Sequence, residues 1–176
     1  MAGTGPQDLF DLCQELLDAC VESLDTIPTF APGLEGAPER SFVSPGASVD
    51  DCCPQLTVWA QVVGESPNSP GSFRGKSAVD GQINVLSLVA RITRCLPTQG
   101  DPPPTTDLQA AAEQINADGW ALWNHLYNMV RAEQLFMLCG EVFWDGLRSI
   151  VPSGGCGGWN LILRVELDGY EEPNVS

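Results

Sequence analysis

Residues 81–95 limit the possible folds more than any other stretch of the chain. Leu86, Leu88, Ala90 and Ile92 alternate with Val85, Ser87, Val89, Arg91 and Thr93, which is the period-2 pattern of a strand. From Val85 to Ala90 nearly every residue is apolar, so both faces need cover and the strand belongs in the middle of a sheet. Arg91 and Arg94 point to opposite faces of such a strand and cannot form a joint anion clamp. Residues 55–63 read as a neighbouring strand, with Leu56, Val58, Ala60 and Val62 alternating with Thr57, Trp59 and Gln61.

Two further strands are expected near the C-terminus, one starting at Val142-Phe143-Trp144 and one over 159–167. Between them lies Ser153-Gly154-Gly155-Cys156-Gly157-Gly158. A glycine-rich loop can cradle phosphate when a helix follows it, but here a strand follows, so no helix N-terminus faces an anion. The glycines serve instead as a backbone device, permitting positive φ and close approach in a hairpin, with Cys156 as a small packed side chain.

Helical periodicity appears twice. In residues 6–24, Phe10, Cys13, Leu17, Cys20 and Leu24 recur at three- and four-residue steps, and Leu9, Leu12 and Leu16 broaden the stripe. After Pro102-Pro103-Pro104, Thr106-x-x-Gln109 offers a capping box for a helix to about Gln134, roughly 40 Å long. Its inner stripe is Leu108, Ala112, Ile115, Gly119, Leu122, Leu126 and Met129. Trp120, Trp123 and Tyr127 form a second apolar track beside it. Aromatics at helical spacing ordinarily belong to a core, and the breadth of two tracks leaves room for a subunit interface at Trp120 and Trp123.

The expected architecture is therefore α+β: a four-stranded, mainly antiparallel sheet with an N-terminal helix and one long helix packed on it, in the order α-β-β-α-β-β. The 176 residues, 43% apolar, suffice for one domain with one core. Residues 25–54, with Pro28, Pro32, Pro38 and Pro45, read as an irregular connector packed through Phe30, Phe42 and Val43. Residues 64–80 read as an exposed loop that carries Arg74 and the only lysine, Lys76.

Charge and cysteine usage exclude several functions. A net charge of −15, from 23 acids against eight Lys and Arg, disfavours wrapping nucleic acid or adhering to an anionic membrane, though not a wall past which DNA slides. No run of eighteen apolar residues occurs and the N-terminus lacks a hydrophobic signal core, so synthesis in the cytosol is expected. The seven cysteines include no Cys-x-x-Cys pair, and their odd count without a secretion signal favours reduced, buried thiols. No metal, cofactor or catalytic set is expected. His125 stands on a helix beside Leu122 and Leu126 without a nucleophile, and Asp50-Asp51 lacks the six to eight oxygens a calcium ion takes.

Three segments together carry a resemblance. Asp50-Asp51-Cys52-Cys53-Pro54-Gln55-Leu56-Thr57-Val58 comes first, then Gly81-Gln82-Ile83-Asn84 leading to Arg94-Cys95-Leu96-Pro97, then Gly154-Gly155-Cys156-Gly157-Gly158-Trp159. In this order, over residues 36–170, the chain resembles neck proteins of long-tailed phages of actinobacteria, most specifically the tail terminators.

The resemblance implies a non-catalytic virion protein, made in the host cytoplasm, that forms a ring, expected to be a hexamer. The ring would cap the tail tube, end tube polymerisation and present the surface that docks to the DNA-filled head. Its partners would be its own copies, the tail-tube protein and the head-to-tail stopper or connector, with DNA passing through unbound and no membrane involved. Loop exposure nominates Arg74 and Lys76 as interface residues, and strand position nominates Glu166 and Asp168 as channel lining. Two alternatives stay open. One is the stopper or adaptor of the same neck, expected to be mostly β or mostly helical respectively. The other is a small cytosolic enzyme or ligand-binding α+β domain with a cleft near Cys52, Cys95 and Cys156.

Overall fold

The structure, a computed structural model, describes residues 9–47, 54–62, 84–97, 103–136, 141–153 and 155–167. Helix α1 is Leu9–Asp25 and a single helical turn, α2, is Ile27–Phe30. The strands are β1 (Arg40–Val43), β2 (Gln55–Val62), β3 (Asn84–Cys95), β4 (Val142–Ser153) and β5 (Cys156–Leu167). Between β3 and β4 runs a helical arm made of α3 (Thr105–Ala121), a π turn (Leu122–Leu126) and α4 (Tyr127–Arg131).

The α+β class holds, but the sheet differs from the four-stranded antiparallel arrangement. It has five strands in the order β1-β2-β3-β5-β4, and β1 pairs with β2 in parallel while the other pairs are antiparallel. The extra strand lies inside the segment expected to be irregular. Four residues following Pro38 are too short for alternation to register, and their strand character comes from docking on β2 in register Arg40↔Gln55 to Val43↔Val58. β3 is the central strand, as its apolar run requires.

The β3 side chains separate as the alternation predicts. Leu86, Leu88, Ala90 and Ile92 join Leu56 and Val58 of β2 and Leu161, Leu163 and Val165 of β5 in one apolar layer under the helices. The opposite face is polar and mixed, yet Thr57, Trp59, Ser87, Val89 and Thr93 on it are buried too. Three arginines, Arg91, Arg148 and Arg164, stand on that face by register.

Helix α1 closes the core with Leu12, Cys13, Leu16, Leu17, Cys20 and Leu24, whereas Leu9 and Phe10, expected in the stripe, are 44% and 57% exposed. They precede Leu12, the first buried residue of the helix. The arm ends at Arg131, short of Gln134, and Glu133 takes a positive φ of 54° just beyond it. Pro104 occupies the N-cap position without a side-chain cap, so the capping box does not form; Gln109 instead donates to Glu113 Oε1 at 3.1 Å. Leu108 and Ala112, expected on the inner stripe, are exposed, and the buried residues of α3 begin only at Ala117. At Gly119 the arm lies close against β5, where a Cβ would lie 2.6 Å from the Trp159 ring.

The β4–β5 hairpin is the one the glycine-rich segment announces, closing at Ser153↔Cys156 with Gly155 at φ 82°. Burial pushes the Cys13 thiol up and that of Cys20 up to about 12, in keeping with packed thiols. The expectation of reduced cysteines fails at Cys156, which is disulfide-bonded. An odd count forbids complete pairing but not a single bridge.

Candidate functional site

Two neighbouring regions of the helical arm invert the usual inside–outside preference. The first is a buried ion pair. Arg94, inward-facing on β3, is 4% exposed and Asp118 on α3 is 0% exposed. Arg94 Nε donates to Asp118 Oδ2 and NH2 to Oδ1, both at 2.9 Å, in a bidentate fork. The same guanidinium donates to Gly36 O at 2.6 Å and to Glu35 Oε2 at 3.2 Å. Gln114 Nε2 donates to Asp118 Oδ1 at 3.1 Å and to Glu35 O at 3.0 Å, while its Oε1 accepts from Glu35 N at 2.8 Å. Burial pushes the Asp118 carboxyl above its ordinary value, against the opposing hydrogen bonds and charge of Arg94. This node is closed: it ties the connector, the central strand and α3 together, and it presents nothing to a ligand.

The second region is open. Trp120 is 57% exposed, Trp123 45% and Phe30 48%, an apolar area that the fold does not cover. Phe30 and Trp120 line a groove of about 260 Å³ together with Thr26, Thr29, Asn124 and His125. The groove forms because α2 turns the chain back beside α3 and because the π turn begins at Leu122, directly after Trp120 and Ala121. A π turn inserts one extra residue into the helical spacing, a distortion that recurs at functional sites. Here it keeps Leu122 and Leu126 in the core while Trp123 and Asn124 face out.

Beyond the π turn the aromatics pack on one another. Trp123 stacks on Tyr127 at 5.1 Å between ring centroids, and both meet Trp144 of β4 edge-on at 5.6 and 5.4 Å. The Arg131 guanidinium lies 5.9 Å from the Tyr127 centroid. Trp123 is thus half core, half surface, whereas Trp120 is surface. His125 Nε2 lies 3.8 Å from Glu22 Oε1 on α1, which brings a carboxylate to the groove wall.

Of the sequence-nominated residues, Trp120 and Trp123 come together on this surface. Glu166 lies on β5, facing away from the helices opposite Val85, and is half-buried. Arg74, Lys76 and Asp168 lie outside the described residues. The cleft of the enzyme alternative loses a nucleophile, since the Cys156 sulfur is in a disulfide; Cys95 stands opposite it in register, and Cys52 is outside the described residues. Phe30, expected to pack the connector, is instead 48% exposed at the groove, and sequence reasoning missed Asn124 and the Glu22–His125 approach, because only the folding back of α2 and α1 brings these residues to α3. No group of three His, Cys, Asp or Glu among the described residues is placed to hold a metal ion. No helix among them is long and apolar enough to cross a membrane. No protein-family model matches the sequence, and no curated protein matches it.

Proposed function

We propose that the protein is a structural neck protein of a long-tailed phage, a tail terminator whose ring caps the tail tube and receives the head. The observation that carries this reading is that three stretches of the resembling segments, Gln55 onward, Arg94–Leu96 and Gly155–Trp159, meet at one end of the sheet, with Asn84 at the other end of β3. Gln55 pairs with Thr93, Cys95 pairs with Cys156, and Leu96 N–H donates to Gly155 O at 2.7 Å. Segments separated by tens of residues thus form one local unit, as expected if their resemblance reflects a shared fold rather than chance composition.

Two features add support. Five strands combined with a helical layer fit neither a mostly β stopper nor a mostly helical adaptor. The exposed Phe30, Trp120 and Trp123 suit a protein that works by contact with other subunits. Imaging of virions assembled without this protein tests the reading. Overlong tails without heads support a terminator, whereas tails of normal length with unjoined heads assign the stopper role.

A further inference from the structure

We propose that Cys95 and Cys156 form a thiol–disulfide exchange site, in which the Cys95 sulfur attacks the Cys156 disulfide and the bond moves to the rung that joins β3 to β5. This is covalent chemistry of the chain itself and does not depend on the ring reading.

The ladder places the pair. Cys95 is the last residue of β3 and Cys156 the first of β5, and they are direct partners in the antiparallel register. Leu96 N–H donates to Gly155 O at 2.7 Å, so the rung beyond them is a hydrogen-bonded one. Rungs alternate, which makes Cys95 and Cys156 a non-hydrogen-bonded pair, the kind with Cα atoms about 4.5 Å apart and side chains drawn together on one face. Arg91 and Asn160, four residues along each strand, occupy a rung of the same kind on the same face, and their side chains meet at 2.9 Å. A Cα separation of about 4.5 Å lies within the range a disulfide spans, so the new bond fits the existing register.

The two sulfurs differ in the way exchange requires. Cys156 is disulfide-bonded and half-buried, whereas Cys95 carries a thiol on an exposed residue. An accessible thiol supplies the thiolate that attacks a disulfide, and a thiol sealed in apolar surroundings does not. Cys13 and Cys20 are the contrast: both are thiols in the core, and burial pushes that of Cys20 up to about 12.

In the step itself Cys95 gives its proton to water and the thiolate attacks Cys156 Sγ. The Cys95–Cys156 bond forms as the existing bond to Cys156 breaks, and the electron pair leaves on the displaced sulfur, which takes up a proton. One disulfide and one thiol stand on each side, so no oxidant or reductant enters. The product pins the exit of the central strand to the turn of the β4–β5 hairpin, in place of the bond Cys156 holds at the start.

The test is disulfide mapping of the full chain, purified without reductant and held at about pH 8.5, near the ordinary value of a thiol. Samples are quenched in acid, alkylated and read by mass spectrometry. A Cys95–Cys156 peptide is expected to accumulate together with an equal amount of a newly alkylated cysteine. It should form at least about tenfold faster in the folded chain than in urea, because the register holds the two sulfurs together. Cys95→Ser, shown to be folded by circular dichroism, should keep the Cys156 disulfide as isolated and release no new thiol. A folded chain in which Cys95 is alkylated while Cys156 keeps its original partner would overturn the proposal. So would equal rates with and without urea, a Cys95 bond formed only between copies, or a Cys156 that is a thiol when isolated.

Discussion

Asp118 and Trp120 are two residues apart on one helix, and each stands where the other would be expected. The carboxylate is 0% exposed and the indole 57% exposed. The difference between them lies in their bonding. Asp118 is met by Arg94 and Gln114 at 2.9 and 3.1 Å, so every reason for its burial is inside the fold. Trp120 has no such internal account, and its exposure leaves apolar area in water. A satisfied buried charge explains itself as architecture, whereas an uncovered aromatic beside a groove points outside the molecule.

The contrast breaks most visibly at Arg94. Arg94→Ala leaves Asp118 buried without its cation and frees Glu35 and Gly36, and should cost about 3–5 kcal/mol in urea unfolding. Little of this comes from the Glu35 contact, since that carboxylate is 77% exposed. Replacing both partners, Arg94→Met with Asp118→Leu, should recover most of the loss, because an apolar pair leaves no buried charge unpaired. If the double variant is as unstable as Arg94→Ala, the node acts through its link to the connector rather than through charge burial.

Gly119, between the two inverted residues, gives the next largest effect. A Cβ there would meet Trp159, whose ring is held by Nε1–H donating to Ile115 O at 2.6 Å. Gly119→Ala gains about 1 kcal/mol of helix propensity but overpacks at about 1–3 kcal/mol. A net loss with quenched or shifted Trp159 emission is expected. Net stabilisation would mean that α3 can slide on the sheet.

A weaker handle is pH. Burial raises the Asp118 carboxyl above 3.8, outweighing the lowering by Arg94. An acid raised on folding contributes stability that is fully present below its unfolded value and is lost as pH rises through the folded one. Asp118→Asn removes that dependence. The stability of wild type minus that of the variant should therefore fall as pH increases from about 4. A difference that grows with pH would show that Arg94's attraction dominates desolvation.

What could be read from the sequence follows from the range over which each signal acts. The central strand, the opposed directions of Arg91 and Arg94, the packing of Gly119 and the track of Trp120, Trp123 and Tyr127 are all set by local periodicity. The partner of Arg94 was hidden because Asp118 is 24 residues away and its burial contradicts its residue type. β1 was hidden because four residues among prolines carry no period. The π turn has no composition of its own, so the one-residue shift that leaves Trp123 half outside the core was invisible. The groove needs α2 beside α3, a relation no single segment encodes.

The smallest expected change in stability belongs to Trp120, and that is what makes it informative. With more than half of its surface in solvent, its replacement removes few internal contacts and creates no buried cavity. Trp120→Ala should shift unfolding stability by no more than about 0.5 kcal/mol. If this exposed apolar area serves only as a liability, the variant should be more soluble and otherwise unchanged. If it serves another subunit, the same variant should fold normally and fail to complete tail assembly when supplied in place of the wild type. Trp123→Ala is the internal control, since its stacking on Tyr127 and edge contact with Trp144 make it part of the packing. It should lose stability that Trp120→Ala retains. Equal losses at both positions would erase the distinction between a residue held by the fold and one held in readiness for a partner.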